Sequence, residues 1–236
     1  MFVARRDPGV RVAGFAFTRA PLDLGDRQPP GARTEAFGRL GAELGVAVAV
    51  ARQVHGAGVV WASAPQGAEG VVDLDADADV LISTQPGLAV AVRVADCVPI
   101  LLADSGGSVV AAVHAGREGL LAGIVDAALD AVRTATDAPL EAWVGPHICG
   151  GCYEVPEAMA RSFAERLGTD VTRTRWGTPG IDLGGAAARR LQARGVRVHD
   201  LARCTYADPA LYSHRRDAAL GRLAGIAWPA GRAASG

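Results

Sequence analysis

Lysine is absent from the chain: all 24 basic residues are arginine. This excludes a Schiff-base lysine and the lysine of a phosphate-binding loop. Long apolar runs are missing as well. Gly, Pro, Asp or Arg interrupts every aliphatic stretch, so nothing approaches the roughly 20 residues of a membrane helix. No apolar leader follows Arg5, Arg6, Asp7, Pro8 and Gly9, and we expect an untargeted, cytoplasmic chain with no membrane association. Charge of one sign is not in excess. The formal net charge is -1 and the arginines are scattered, which argues against a nucleic-acid partner. No Ser stands in a G-x-S-x-G elbow, so the usual local mark of a serine hydrolase is lacking.

What is present is apolar bulk. Half of the 236 residues are hydrophobic, enough to close a sizeable core without disulfides. Four cysteines in a cytoplasmic chain of this size point to thiol or metal chemistry. There is no internal repeat. We expect a single domain over residues 1–228, followed by a small, polar, flexible tail from Pro229 to Gly236.

The pattern alternates strands and helices. Strands are expected at Arg11 to Thr18, Val46 to Val50 and Val59 to Ser63, with three or more buried ones between Val80 and Val113. Helices are expected at Ala32 to Leu44, Gly119 to Ala135, Pro156 to Leu167 with Pro in its first turn, and Leu183 to Arg194 capped by Asp182. Hairpins and helical crossovers together predict an α+β sandwich with mixed sheets.

Several motifs fail on inspection. Asp73, Asp75, Asp77 and Asp79 begin like an EF-hand loop, but Ala78 replaces its Gly and Thr84 its Glu. We read the run as a solvated acidic turn. Gly56-Ala57-Gly58 lacks the third glycine of a dinucleotide fingerprint, because Trp61 stands there. Cys149-Gly150-Gly151-Cys152 lacks a second ligand pair for zinc, a thioredoxin-like context, and the H-x-E of nucleobase deaminases. We read these two cysteines as small packing residues.

Three residues remain at loop positions beside apolar strands: His55 in Gln-Val-His-Gly, Cys97 in Ala-Asp-Cys-Val-Pro, and His114 in Val-His-Ala-Gly. Two neutral imidazoles and a thiolate form a three-ligand zinc set whose fourth tetrahedral position is open, the arrangement of catalytic sites.

These motifs, with Gly145-Pro146, Cys152-Tyr153-Glu154-Val155, and Tyr212-Ser213-His214-Arg215-Arg216-Asp217 ahead of Gly221-Arg222, resemble the YfiH-like family over nearly the whole chain. That family was long labelled multicopper polyphenol oxidase and is now regarded as purine nucleoside phosphorylase and adenosine deaminase. The resemblance implies an αββα-type sandwich and a zinc site at His55, Cys97 and His114. It also implies activity on adenosine, inosine and methylthioadenosine with inorganic phosphate. A monomer is expected. One departure stands out: the family's Trp-Arg-Gly is Arg117-Glu118-Gly119 here, which displaces the arginine by one position.

Around this set we expect Gln53, Arg117, Arg215 and Arg216 to bind substrate, since guanidinium forks suit phosphate oxygens. The bland alternative for Arg215 and Arg216 is a surface cluster with Asp217. Asp96, beside Cys97, is expected either to carry a proton in catalysis or to orient a ligand. Three rival readings stay open. Cys97 and His114 form a nucleophile and base for an amide hydrolase or deamidase, for which the resemblance implies peptidoglycan precursors as substrate, since some family members are linked to their editing. The site holds copper and oxidises phenols, for which Met1 and Met159 are the only axial methionines and five histidines are few. Or the chain binds zinc or nucleoside without turnover.

Overall fold

The computed structural model describes residues 1–9, 12–29, 31–219 and 221–231. In chain order the elements are β1 (Phe2–Arg6), β2 (Gly14–Thr18), α1 (Ala32–Leu44), β3 (Ala47–Arg52), β4 (Val59–Trp61), β5 (Val71–Asp77) and β6 (Val80–Ser83). Then come β7 (Leu88–Val94), β8 (Val98–Asp104), β9 (Val110–Ala115), α2 (Arg117–Leu121), α3 (Ile124–Arg133) and β10 (Leu140–Val144). The chain continues with α4 (Glu157–Leu167), β11 (Thr172–Arg173), β12 (Pro179–Gly180), α5 (Leu183–Ala193), β13 (Arg197–Asp200) and β14 (Leu223–Trp228).

Strands β6 to β9 carry no polar alternation because both of their faces are covered. On β8, Leu101 and Ala103 point into the core between two sheets, while Ile100 and Leu102 point into a second core beneath helices. One sheet runs β1-β2-β14-β7-β3-β5 and the other β13-β10-β8-β9-β6-β4. Each mixes parallel and antiparallel pairs. Phe17, Val90 and Val92 of the first sheet meet Leu81, Leu101 and Trp143 of the second. Helix α1 covers the outer face of the first sheet through Phe37, Leu40 and Leu44. Residues of α2 to α5, among them Leu120, Ile124, Phe163 and Leu191, cover the second. This is the expected α+β sandwich of αββα type.

Local differences have local causes. The helix expected over Gly119 to Ala135 is two helices, because Gly123 adopts φ 81° between α2 and α3. Pro156 precedes the first turn of α4, and Asp182 caps α5 by accepting from the Gly185 amide at 2.9 Å. The acidic run is no turn. Asp73, Asp75 and Asp77 lie exposed along β5, whereas Asp79, beyond its end, is wholly buried. Of the expected strand Arg11 to Thr18, Arg11 lies outside the described residues; β2 begins at Gly14. Of the expected tail, residues 232–236 lie outside them too. No helix among the described residues is long and apolar enough to cross a membrane.

Candidate metal centre and cleft

Three loops meet at one end of the sandwich. The loop between β3 and β4 carries His55, the turn between β7 and β8 carries Cys97, and the end of β9 carries His114. One imidazole nitrogen from each histidine and the Cys97 sulfur lie within 4.8 Å of one another. The two rings meet edge to face with centroids 4.7 Å apart. A zinc ion bound at about 2.0–2.3 Å from each ligand fits that spread.

Backbone geometry aims these side chains. His55 adopts φ 60° and Asp96, next to Cys97, φ 92°, so both loops turn through the left-handed region that non-glycine residues avoid. His55 is held there by Asp79, whose Oδ1 accepts from the His55 amide at 3.1 Å. Its Oδ2 accepts from the Val54 and Gly56 amides at 3.1 and 2.7 Å. Gly116 is a steric necessity: a Cβ there would sit 3.0 Å from His55 Cδ2 and 3.2 Å from Cys97 Sγ.

The electrostatics follow from burial. Burial alone would raise the Asp79 carboxyl, but hydrogen bonds from His114 and the Gly56 and Val54 amides overcome it and hold the acid below its usual range. Burial lowers His114, and Asp79 only partly offsets this, so the imidazole is neutral near pH 7. Its Nδ1 donates to the ionised Asp79 Oδ1 at 2.7 Å, which leaves Nε2 as the free lone pair. Burial, with Asp96 and Asp79 adding to it, pushes the Cys97 thiol up to about 12.

The set lines a cleft of about 800 Å³, with His114 buried and His55 exposed. Gln53, Asp96, Arg117 and Arg215 line it. Gln53, however, is engaged with the backbone of Arg93, donating to its carbonyl and accepting from its amide, both at 2.8 Å. Asp96 accepts from Thr205 Oγ1 at 2.5 Å and from the Arg215 amide at 2.6 Å. Arg215 lies over the Tyr153 ring, 5.0 Å from its centroid, and donates to the Glu154 carbonyl at 2.7 Å. Arg117 pairs with Glu118. Arg216 is absent from the cleft lining; its guanidinium donates to the carbonyls of Thr205, Tyr206, Asp208 and Leu211. It pairs with no carboxylate of Asp217, whose Oδ1 caps the Ala219 amide at 2.9 Å.

Sequence reasoning missed Asp79, which the alternating acids disguised, together with Tyr153, His214 and Arg222 of the cleft. The last three all sit inside the quoted motifs, which was the available signal.

Comparison with known proteins agrees with the fold. A family model described as multi-copper polyphenol oxidoreductase laccase matches residues 1–230, and the chain belongs to this family. Among relatives, a Mycobacterium tuberculosis protein named purine nucleoside phosphorylase is 41% identical over 246 residues, covering 96% of each chain. One of the same name from Deinococcus radiodurans is 40% identical, covering 84% of this chain and 78% of its own. The crystal structure of a Neisseria meningitidis protein superposes with TM-score 0.81 at 27% identity, over 98% of this chain and 99% of that one. YlmD from Geobacillus stearothermophilus superposes at 0.75 and 25%, over 93% and 92%.

Proposed function

We propose that the chain is a zinc-dependent purine nucleoside phosphorylase that also deaminates adenosine and phosphorolyses methylthioadenosine. The observation that carries this reading is the convergence of His55, Cys97 and His114 in the lining of a nucleoside-sized cleft that arginines also line. The name of the similar proteins, purine nucleoside phosphorylase, supports its phosphorylase part. Zinc suits the donor set, and when bound it supplies Lewis acidity at its open position.

The chain's own residues supply the rest. Asp79 keeps the His114 proton on Nδ1, so that Nε2 is the atom that would hold the ion. Arg117 and Arg215 hold inorganic phosphate against the ribose, positioning its oxygen for attack as the purine departs. Burial raises Tyr153, so its phenol stays protonated at neutral pH and offers a neutral hydrogen-bond donor beside those arginines. Asp96 takes neither expected role in its contacts: it is bonded to Thr205 and the Arg215 amide, not to a metal ligand, and so sets the Arg215 loop against the cleft.

A copper oxidase is less well supported. Met159 packs against the core under the helices and exposed Met1 is outside the cleft lining, so neither methionine is at the site, and His147 and His199 are bonded to Gly145 and Glu141. A Cys97 nucleophile has its partner in His114, but a thiol near 12 holds little thiolate at neutral pH.

The test is incubation with adenosine, inosine and methylthioadenosine, with and without phosphate, followed by chromatography. Phosphate-dependent release of free base, and inosine from adenosine, are expected. Nucleosides recovered unchanged would reduce the chain to a binding module. Activity that survives a chelator and is abolished by iodoacetamide would turn the reading to the amide hydrolase.

A further inference from the structure

A second cluster of metal-ligating atoms lies outside the cleft. The tight turn after β10 carries Cys149 and Cys152, and the segment after β13 brings Cys204 to them across more than fifty residues of sequence. The three sulfurs all lie within 4.8 Å of one another. A tetrahedral zinc with Zn–S bonds of about 2.3 Å sets sulfurs roughly 3.8 Å apart.

The backbone is built for this approach. The Cys149 carbonyl accepts from the Cys152 and Tyr153 amides at 2.9 and 3.0 Å, which folds the turn so that both thiols face one side. Cys204 is fixed by a parallel bridge to His147, in which the His147 amide donates to the Arg203 carbonyl at 3.1 Å and the Thr205 amide to the His147 carbonyl at 3.0 Å. Gly150 admits the neighbouring segments, since a Cβ there would meet Thr172 Cγ2 at 2.9 Å and Asp182 Cβ at 3.0 Å.

Hydrogen-bond donors point at two of the three sulfurs. The Cys149 amide donates to Cys204 Sγ at 3.4 Å, and the Arg175 guanidinium donates to Cys152 Sγ. Cys152 is buried, and the other two are half-buried. Without a cation the three compete for charge. A divalent ion lets all three ionise.

We infer that Cys149, Cys152 and Cys204 bind a second zinc ion, separate from the one in the cleft. Binding releases the three thiol protons to solvent. The resulting complex carries one net negative charge, which Arg175 balances. The site ties the turn after β10 to the segment 203–208, whose Thr205 hydroxyl bonds Asp96. It therefore secures the base of the loop that bears Arg215.

The test is zinc stoichiometry by mass spectrometry on the full chain, after exhaustive dialysis without chelator. Two ions per chain are expected. The substitution C204S should remove one, H55A with H114A should remove the other, and all three changes together should remove both. If C204S leaves two ions, or the unsubstituted chain holds one ion that the histidine changes abolish, the second site is refuted. Failure of the cleft zinc alone would show differently: one ion per chain, lost in C204S and kept in H55A with H114A. Alkylation mapping of the unsubstituted protein gives a check independent of folding. Cys149 and Cys204 should resist label until a chelator is added; labelling at equal rates with and without chelator, or a disulfide between any two of the three, overturns the inference.

Discussion

Asp79 Oδ1 and His114 Nδ1 are joined by a 2.7 Å hydrogen bond between two buried side chains. The same carboxylate accepts from three successive amides of the loop carrying His55. One acid thus sets the ring orientation of one proposed zinc ligand and the backbone of another. Asp79→Asn keeps the shape but lowers the acceptor capacity. We expect zinc affinity at the cleft to fall roughly 10- to 100-fold. Stability should fall by about 1.5–3 kcal/mol. Competition with a chromophoric chelator and urea unfolding measure the two effects.

The pH dependence of the zinc-free protein follows from the same pair. His114 is lowered in the folded state from its ordinary 6.5, and Asp79 from 3.8. In both cases the unfolded chain takes up its proton at higher pH than the folded one. Their contribution to stability is therefore complete above about pH 6.5 and declines as pH falls, first through His114 and then, below about 3.8, through Asp79. Thermal unfolding in chelator from pH 8 down to 3 should show a midpoint that falls on acidification below 6.5. Asp79→Asn should lose the lower part of that decline.

Gly116→Ala places a methyl group against His55 and Cys97. The ligands must spread, and we expect weaker zinc binding with a folding cost of about 1–3 kcal/mol. Gly151→Ala is the control. The nearest atom to a Cβ there is Cys149 Sγ at 3.9 Å, an ordinary contact, so cleft zinc should be unchanged.

Arg215 and Arg216 are neighbours with different tasks. Arg215 lines the cleft, whereas Arg216 is held by four carbonyls of its own loop. Arg215→Ala should raise KM for phosphate roughly 10- to 100-fold, as expected for loss of a charge-assisted contact, with little change in melting temperature. Arg216→Ala should lower the melting temperature. Initial rates against phosphate concentration, read beside calorimetry, distinguish them.

The distribution of what could be read from sequence has physical causes. Helix α1 and the Asp182 cap were legible because periodicity and capping are local. His55, Cys97 and His114 were legible because each lies in a short motif at a strand end. Asp79 was not: in an alternating run of acids, only the bend after Asp77 distinguishes the one that turns inward from those that stay exposed. The break between α2 and α3 depends on the backbone of Gly123. The meeting of Cys204 with Cys149 and Cys152 is set by the parallel pairing of β13 with β10, which no local pattern reveals.

The most direct measurement is anomalous diffraction from crystals of the purified protein, collected on both sides of the zinc absorption edge. The account predicts a zinc peak bonded to one nitrogen of His55, Nε2 of His114 and Sγ of Cys97, at about 2.0–2.3 Å. A zinc-replete protein with no peak among these three atoms, or with either imidazole turned away from a metal held by the thiolate, would contradict it.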